Sequence, residues 1–416
     1  MKRLLLIVSV VLFAVNAAIA QKQEAKLITT DITNFWNAYD KITTTKDTAL
    51  QLQYLNTLFI DKGTPGLKAM MKARSYTPKQ YVETINKNPE GWNAVRANTL
   101  KADEYARQIN LNIEKFKVLY PELRPSEIYF TVGAYRSGGT TQGHMILIGS
   151  EIAFMPEHLK DLVFTVIHEY VHTQEKTNDA DNLMAQCVME GVAEFVAEKV
   201  TGLPSTMPSK KYGYEHFERV REVFEQQMFN TQLGFWMYSD APNEFNTRDM
   251  GYDVGYTMCE KYYDKAADKK QAIKDMIEVD VNNPEALARF VDASGYFTKP
   301  VAELSKEYEA NRPIVTGIGP FKNGDVNVDA KIKQITIEFS RPMNKNRRNF
   351  ELGPLGKSNL LKLTRIIGFS EDGHTFTFET EMAPGQQYQI VFGEGFKDLN
   401  GAGIKPYLLD FKTAEN

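Results

Sequence analysis

Two of the six histidines in the 416-residue chain lie four positions apart in the segment FTVIHEYVHTQ, residues 164–174, and a glutamate follows the first. Apolar residues around them recur with the spacing of one helix face, which predicts a buried amphipathic helix. His168 and His172 would therefore present both imidazoles to one point. This is the geometry of two zinc ligands, and Glu169 beside them could act as a base. The alternative is that both histidines are ordinary residues of a packed core.

A catalytic zinc needs a third protein ligand and an open fourth position. The next helical segment, NLMAQCVMEGVAEFVAEKVTG, offers Glu190, with 17 residues between it and His172. Glu194 lies one turn further on the same face, where its carboxylate could hold a histidine ring in one tautomer. Both glutamates could instead be solvated, but a helix rich in Met, Val, Ala and Phe favours a paired role. We therefore predict zinc on His168, His172 and Glu190, supported by Glu194.

A later segment, RDMGYDVGYTMCEKYY, could supply a hydrogen-bond donor for an oxyanion. Gly251 and Gly255 are four apart, and so are Tyr252 and Tyr256, which predicts a helix with a small-residue face beside a tyrosine face. The glycines would allow close packing on the HExxH helix, and one tyrosine hydroxyl could then reach the reacting oxygen. The alternatives are that both tyrosines pack the core, or that Arg248 is the donor.

The rest of the chain divides into stretches of different periodicity. Residues 21–125 are mostly helical in pattern, and residues 126–312 mix short strands with long helices. The strand predicted at Met145–Ile148, just before the HExxH helix, is either the edge strand along which an extended peptide would pair or an ordinary core strand. Residues 313–416 alternate apolar and polar side chains between turn signals, which predicts an all-β sandwich.

The N-terminal sequence MKRLLLIVSVVLFAVNAAIAQ joins two basic residues, an apolar run and an Ala-x-Ala exit. It predicts a cleaved signal peptide over residues 1–20 and a periplasmic or secreted protein, the alternative being a retained membrane anchor. No later segment is apolar enough to predict a membrane span. The net charge of −4 gives no indication of nucleic-acid binding. The only cysteines, Cys187 and Cys259, could form one disulfide or remain buried thiols.

Two resemblances extend these expectations. The segment PIVTGIGPFKNGDVNVDAKIKQITIEFSRPM resembles the bacterial Ig-like domain of surface-layer and secreted proteins, in which FSxPM, here residues 339–343, recurs. This resemblance covers about residues 313–416 and implies an accessory module that could contact the cell surface. HEYVH followed by EGVAEF resembles the gluzincin metallopeptidases, and more closely a group of predicted zinc-dependent proteases of exported bacterial proteins. That second resemblance covers residues 126 to about 300, including EIYFTVG, GGTTQGHMILIGSEIAF and RDMGYDVGYTMCEKYYDK.

The gluzincin resemblance implies a largely helical α+β, zincin-like catalytic domain over residues 21–312 and zinc-dependent hydrolysis of a peptide or protein substrate. The Gly-x-Met-Glu-Asn motif of aminopeptidases in the same clan is missing from the sequence, so anchoring of a free amino terminus is not expected. One alternative is a catalytically inactive zinc-containing protein that binds surfaces through its Ig-like domain. Retention of Glu169 argues against it, because a structural zinc site has no use for a base. Another is a hydrolase of a different amide, such as a cell-wall peptide.

Overall fold

The computed structural model describes residues 25–177 and 179–415, so the predicted signal peptide lies outside the described residues. Within these ranges, no helix combines the length and apolar character needed to cross a membrane. The first part of the chain is largely helical around one small sheet, and the last part consists of antiparallel sheets. The predicted change from an α+β region to an all-β region is therefore confirmed.

Within the described residues, six α-helices precede the first long strand and pack their apolar faces into the same core as the sheet. Several of them start at a proline, whose fixed φ already suits the first position of a helix. The residue before that proline, Thr64, Thr77 or Asn88, accepts a backbone N–H of the first turn with its side chain. The helices are α1 (Thr30–Ile42), α2 (Thr48–Leu55, continued by a π-helical turn, Asn56–Ile60), α3 (Pro65–Arg74), α4 (Pro78–Lys87), α5 (Pro89–Thr99) and α6 (Ala106–Leu119).

One four-stranded sheet lies beside these helices, with strand order β1-β2-β4-β3. Its strands are β1 (Leu27–Ile28), β2 (Glu127–Thr131), β3 (Gly139–Gln142) and β4 (Met145–Gly149). Strand β4 runs parallel to β2 and antiparallel to β3, so it lies in the middle, and its residues 146–148 are fully buried. Of the two alternatives for Met145–Ile148, the structure therefore shows the core strand. The edge position belongs to β3, which joins β4 through a turn at Gly143 with φ +60°.

Nine further helices complete the first part of the described chain. They are α7 (Ser150–Ala153), α8 (Leu162–His172), α9 (Leu183–Thr201), α10 (Pro208–Glu215), α11 (Phe217–Gln227), α12 (Met250–Lys265), α13 (Lys269–Glu278), α14 (Pro284–Ser294) and α15 (Val301–Asn311). Helix α9 packs against both α8 and α12 and is almost entirely buried, which is why its sequence is apolar on nearly every face.

The predicted glycine face of α12 packs on α9 rather than on α8. A Cβ atom added to Gly255 would lie 1.7 Å from the carbonyl oxygen of Cys187, and one added to Gly191 would lie 2.1 Å from the carbonyl carbon of Gly255. The expectation that these glycines contact the HExxH helix is thus corrected, because α9 lies between α8 and α12 at this level. Cys187 and Cys259 are both free, buried thiols.

The C-terminal part has two antiparallel sheets with their own apolar core. Ile335, Ile337 and Phe339 of one strand point inward and alternate with polar residues, as the period of two predicts. The first sheet has the order β5-β6-β9-β8 and the second β11-β10-β7. Their strands are β5 (Val315–Gly319), β6 (Gln334–Phe339), β7 (Phe350–Glu351), β8 (Leu363–Phe369), β9 (Thr375–Thr380), β10 (Gln387–Phe392) and β11 (Tyr407–Lys412).

Candidate metal centre

Helices α8 and α9 bring the three predicted ligands together. The Nε2 atoms of His168 and His172 are 3.1 Å apart, and the Oε2 atom of Glu190 lies 3.3 Å and 3.4 Å from them. In a tetrahedral zinc site with bonds of about 2.0–2.2 Å, ligand atoms are separated by about 3.3–3.5 Å. The three side chains are therefore already spaced as the corners of such a tetrahedron, and their two nitrogens and one oxygen suit zinc. The residues present fit the metal.

Two further carboxylates hold the outer nitrogens of the histidine rings. Nδ1 of His168 lies 3.0 Å from Oε2 of Glu194, and Nδ1 of His172 lies 2.7 Å from Oε2 of Glu175. A carboxylate at Nδ1 keeps the proton there and leaves Nε2 free to bind a metal. Glu194 was predicted from its place one turn after Glu190. Glu175 was missed, although its position three residues after His172 was a usable signal.

The buried cluster also shifts the pKa values of its members. Burial lowers the pKa of His168, but its hydrogen bonds with Glu190 and Glu194 outweigh burial and raise it to about 9. Burial raises the pKa of Glu190, but the charge of His172 and the hydrogen bonds of both histidines outweigh burial and hold it well below its usual value. Without metal, the imidazoles therefore retain protons near neutral pH. A metal that binds at Nε2 must displace them.

Glu169 is buried beside the ligands, next to the edge strand β3. Its pKa is raised, mainly because burial disfavours the charged carboxylate. A Cβ atom added to Gly139 would lie 2.4 Å from Oε1 of Glu169, so the carboxylate occupies space that any other residue at position 139 would fill. A raised pKa brings a carboxylate closer to the proton affinity that general-base catalysis near neutral pH requires.

The two predicted tyrosines have different surroundings. The ring of Tyr252 stacks on His168, with centroids 6.3 Å apart and planes inclined by 28°. The hydroxyl of Tyr256 instead donates to Glu198 at 2.8 Å, and Nζ of Lys210 lies 3.7 Å from the centre of its ring. The structure thus brings Tyr252 to the cluster and leaves Tyr256 one helical turn away from it.

A tyrosine that the sequence analysis missed also reaches the ligands. The hydroxyl of Tyr238 donates to Oε1 of Glu190 at 2.5 Å, and its backbone has φ +57°. Tyr238 lies in an irregular segment between α11 and α12, which has no apolar period from which its position could be inferred. Arg248, the rival donor, pairs with Asp240 and Asp249 at 2.9 Å each.

These residues line an open cleft of about 630 Å³. The end of α3, residues 136–141, α8, α9 and the start of α12 form its walls, and Glu169, the ligands and Tyr252 face into it. His144, which the sequence offers as a possible substrate contact or as an incidental residue of a loop, is exposed and lies 3.8 Å from Glu127, outside the lining of this cleft. The arrangement offers a metal, a base and hydroxyl donors to a molecule that enters from solvent.

Comparison with known proteins agrees with this geometry. Residues 92–283 match the family model described as a predicted Zn-dependent protease, and residues 309–413 match the bacterial Ig-like domain. The chain matches no curated protein sequence. Among solved structures, it is similar to the S-layer protein rSbsC(31-844), at 14% identity and a TM-score of 0.19. A second structure, surface layer protein SbsC domains 1-6, has the same identity and TM-score.

The chain spans less than half of each of these two structures, 45% and 46%, while 93% of its own length is covered. Scores this low carry no argument about fold or function. The family matches do carry an argument, since each coincides with a structural unit described above. One covers the helices with the candidate metal ligands, and the other covers the two antiparallel sheets. The chain therefore combines a region of the predicted Zn-dependent protease family with a C-terminal bacterial Ig-like domain.

Proposed function

We propose that the protein is an exported zinc metallopeptidase that hydrolyses bonds in peptide or protein substrates. The observation that carries the proposal is that His168, His172 and Glu190 are spaced as three corners of a zinc tetrahedron, with Glu169 beside them in an open cleft. The match to a predicted Zn-dependent protease family supports the same activity. The predicted signal peptide and the Ig-like domain favour action outside the cytoplasm, in the periplasm or beyond it.

In this mechanism His168, His172 and Glu190 would hold the zinc. Zinc in such a site supplies Lewis acidity and lowers the pKa of a bound water to about 7. Glu169 accepts the proton of the attacking water and passes it to the amine that leaves. Glu194 and Glu175 keep the Nδ1 protons on the two rings, so that both Nε2 atoms stay available.

The hydroxyls of Tyr252 and Tyr238 are the candidate donors to the oxygen on which negative charge develops. Both belong to side chains that line the cleft, and both have pKa values raised by burial and by the charge of Glu190, so they remain neutral donors at pH 7. Tyr256 is not included, because it does not line the cleft. Tyr238 donates to Glu190 in the structure and would have to turn its hydroxyl from that carboxylate to the substrate oxygen. An extended substrate could pair with β3, which has only one strand neighbour and whose residues 139–141 line the cleft.

The alternative function, a zinc-containing surface-binding protein without activity, gives Glu169 no role. A buried carboxylate beside the ligands is costly to maintain, since burial opposes its charge. Its position is therefore better accounted for by a peptidase.

A pair of variants tests the proposed function. Glu169→Gln keeps the shape of the side chain but cannot take up a proton, so zinc content should be unchanged while turnover falls at least about 10²-fold. His172→Ala should lose most of the zinc, since one of three ligands is removed. Metal analysis and cleavage of a mixed peptide library measure both effects. Wild-type turnover in Glu169→Gln, or undiminished zinc in His172→Ala, would contradict the assignment.

A further inference from the structure

Two arginines of the cleft have no part in the mechanism above. Arg74 is the last residue of α3, and its Nη2 atom donates to the carbonyl oxygen of Gly139 at 3.2 Å. Arg136 lies in the loop before β3, and its Nη1 atom donates to the carbonyl oxygen of Arg74 at 3.3 Å. Both side chains line the same cleft as Glu169 and the metal ligands. Arg136 thus contacts the backbone of Arg74, and both side chains line the part of the cleft that includes β3.

In the part of the chain that the structure describes, neither guanidinium forms an ion pair with an acidic side chain. Arg248, the third arginine of the cleft, differs because Asp240 and Asp249 both pair with it. In addition, the Nε atom of Arg74 is buried and has no hydrogen-bond partner among the described residues. Buried donors are normally satisfied, so this atom indicates that an acceptor belongs there.

The position of Arg74 relative to the base limits where such an acceptor would lie on a substrate. Arg74 bonds the carbonyl group of Gly139, and the missing side chain of that same glycine would contact the carboxylate of Glu169. Gly139 thus lies between the guanidinium group of Arg74 and the carboxylate of Glu169. An extended chain advances about 3.3–3.6 Å per residue, so an acceptor on Arg74 would lie within about two residues of the bond that is cut.

We propose that Arg74 and Arg136 form a subsite for a carboxylate of the peptide substrate, placed within a residue or two of the cleaved bond. The proposal rests on the proposed peptidase function and names its substrate class. Planar guanidinium groups match carboxylate oxygens in pairs, and these two form no ion pair with an acidic side chain of the described residues, so both can receive a carboxylate. The carboxylate is either an acidic side chain or the C-terminal carboxylate of the substrate, and the two sources share the same recognition chemistry.

Binding of four matched peptides to the Glu169→Gln protein tests the subsite without requiring turnover. The peptides share one apolar sequence and differ in carrying Glu or Gln at one position and a free or amidated C-terminus. We expect the anionic forms to bind at least about tenfold more tightly, as charge-assisted hydrogen bonds would give. A preference for the free C-terminus indicates an exopeptidase, and one for Glu indicates recognition of acidic side chains. Equal binding of all four peptides would overturn the proposal.

Variants in the Glu169→Gln background assign the preference to these two residues. Arg136→Gln removes an exposed charge and should weaken the preference without affecting folding, and Arg74→Gln together with Arg136→Gln should abolish it. Arg248→Gln is the matched control, because its charge is already paired and the preference should survive. A preference that persists in the folded double variant would contradict the subsite. Failure of the peptidase proposal would appear instead as wild-type protein that cleaves none of the peptides while the binding preference remains.

Discussion

Glycine at position 139 makes room for the proposed base, and its replacement tests that base without touching a ligand. In Gly139→Ala the new methyl group would lie 2.4 Å from Oε1 and 2.8 Å from Cδ of Glu169, so the carboxylate must move. A base that is misplaced by about 1 Å can lower the turnover rate about 10²-fold. We therefore expect kcat to fall by that order while the zinc content stays unchanged. Gly138→Ala is the matched control, since its methyl group would meet only Ile152, at 3.4 Å. Equal activity of the two variants would remove Glu169 from the mechanism.

Glu175 holds the outer nitrogen of His172, and its loss should appear in metal affinity before it appears in stability. We expect Glu175→Gln to bind zinc about 10–100-fold more weakly, because such partners orient the ring and raise its basicity. Competition with a chelating dye measures the affinity. Glu198→Gln is the control: Glu198 lies one turn beyond Glu194 but binds Lys210 and Tyr256 instead of a ligand. If both variants kept wild-type affinity, Glu175 would only neutralise charge.

At the scale of single residues, periodicity explains which site residues the sequence could predict. His168, His172, Glu190 and Glu194 lie on helices, so spacing alone put their side chains on common faces. Tyr256 shares that face with Tyr252 in the sequence, but a turn of helix carries its hydroxyl about 6 Å further along, to Glu198. Tyr238 lies in a segment without regular period, with a left-handed backbone that no pattern indicates.

At the scale of elements, β3 beside the HExxH helix α8 shows that a single sequence does not determine which strand lies at the edge of the sheet. GGTTQG has no apolar alternation, so β3 could not be recognised as a strand, and the apolar β4 was the only candidate for the edge. In the structure β4 is buried between β2 and β3, which accounts for its continuous run of Met, Ile, Leu and Ile. Polar, glycine-containing residues at the edge are what a strand needs where one side faces an open cleft.

Glu151 connects β2 to the start of α7, and its buried carboxylate should make stability depend on pH. It accepts the backbone N–H groups of Gly133 and Tyr135 at 2.8 Å and 3.1 Å, while burial raises its pKa from 4.5 to about 7. The folded protein thus keeps a proton that the unfolded chain releases near pH 4.5. The contribution of Glu151 is fully present below that pH and is lost as the pH rises to about 7.

The variant Glu151→Gln cannot ionise and should lack this dependence. Between pH 4.5 and pH 8, the free energy of unfolding of the wild type should fall by up to about 3 kcal/mol more than that of Glu151→Gln, as the shift in pKa implies. Urea unfolding at the two pH values measures the difference. Glu157→Gln, an exposed carboxylate on the following turn, is the control and should leave the dependence as in wild type. A pH dependence that Glu151→Gln leaves unchanged would assign it to other groups.

At the scale of the whole molecule, the Ig-like region and the region with the candidate metal ligands have separate apolar cores. They meet through polar contacts: Nζ of Lys397 donates to Thr231 at 3.0 Å, and the side chain of Asn230 donates to the carbonyl oxygen of Asn400 at 3.1 Å. The main-chain carbonyl oxygen of Asn230 also accepts the N–H of Leu183 at the start of α9. One contact between the regions thus lies at the start of the helix that carries Glu190, and others lie at Arg312, beyond the end of α15.

The expected boundary at residue 312 predicts how the first part of the chain behaves when it is isolated. No residue that lines the cleft comes from 313–416, so a protein of residues 21–312 should cleave small peptides as the full chain does. Its melting temperature should fall, because Lys397 and the loop around it no longer contact Asn230 and Thr231, the first of which bonds the start of α9. Lys397→Met in the full chain is the matched control: it removes the charged contact with Thr231 but keeps the Ig-like region, and should lower the melting temperature less than truncation. Loss of small-peptide cleavage in a truncated protein that still binds zinc would show that the Ig-like region holds α9, and with it Glu190, in the active arrangement.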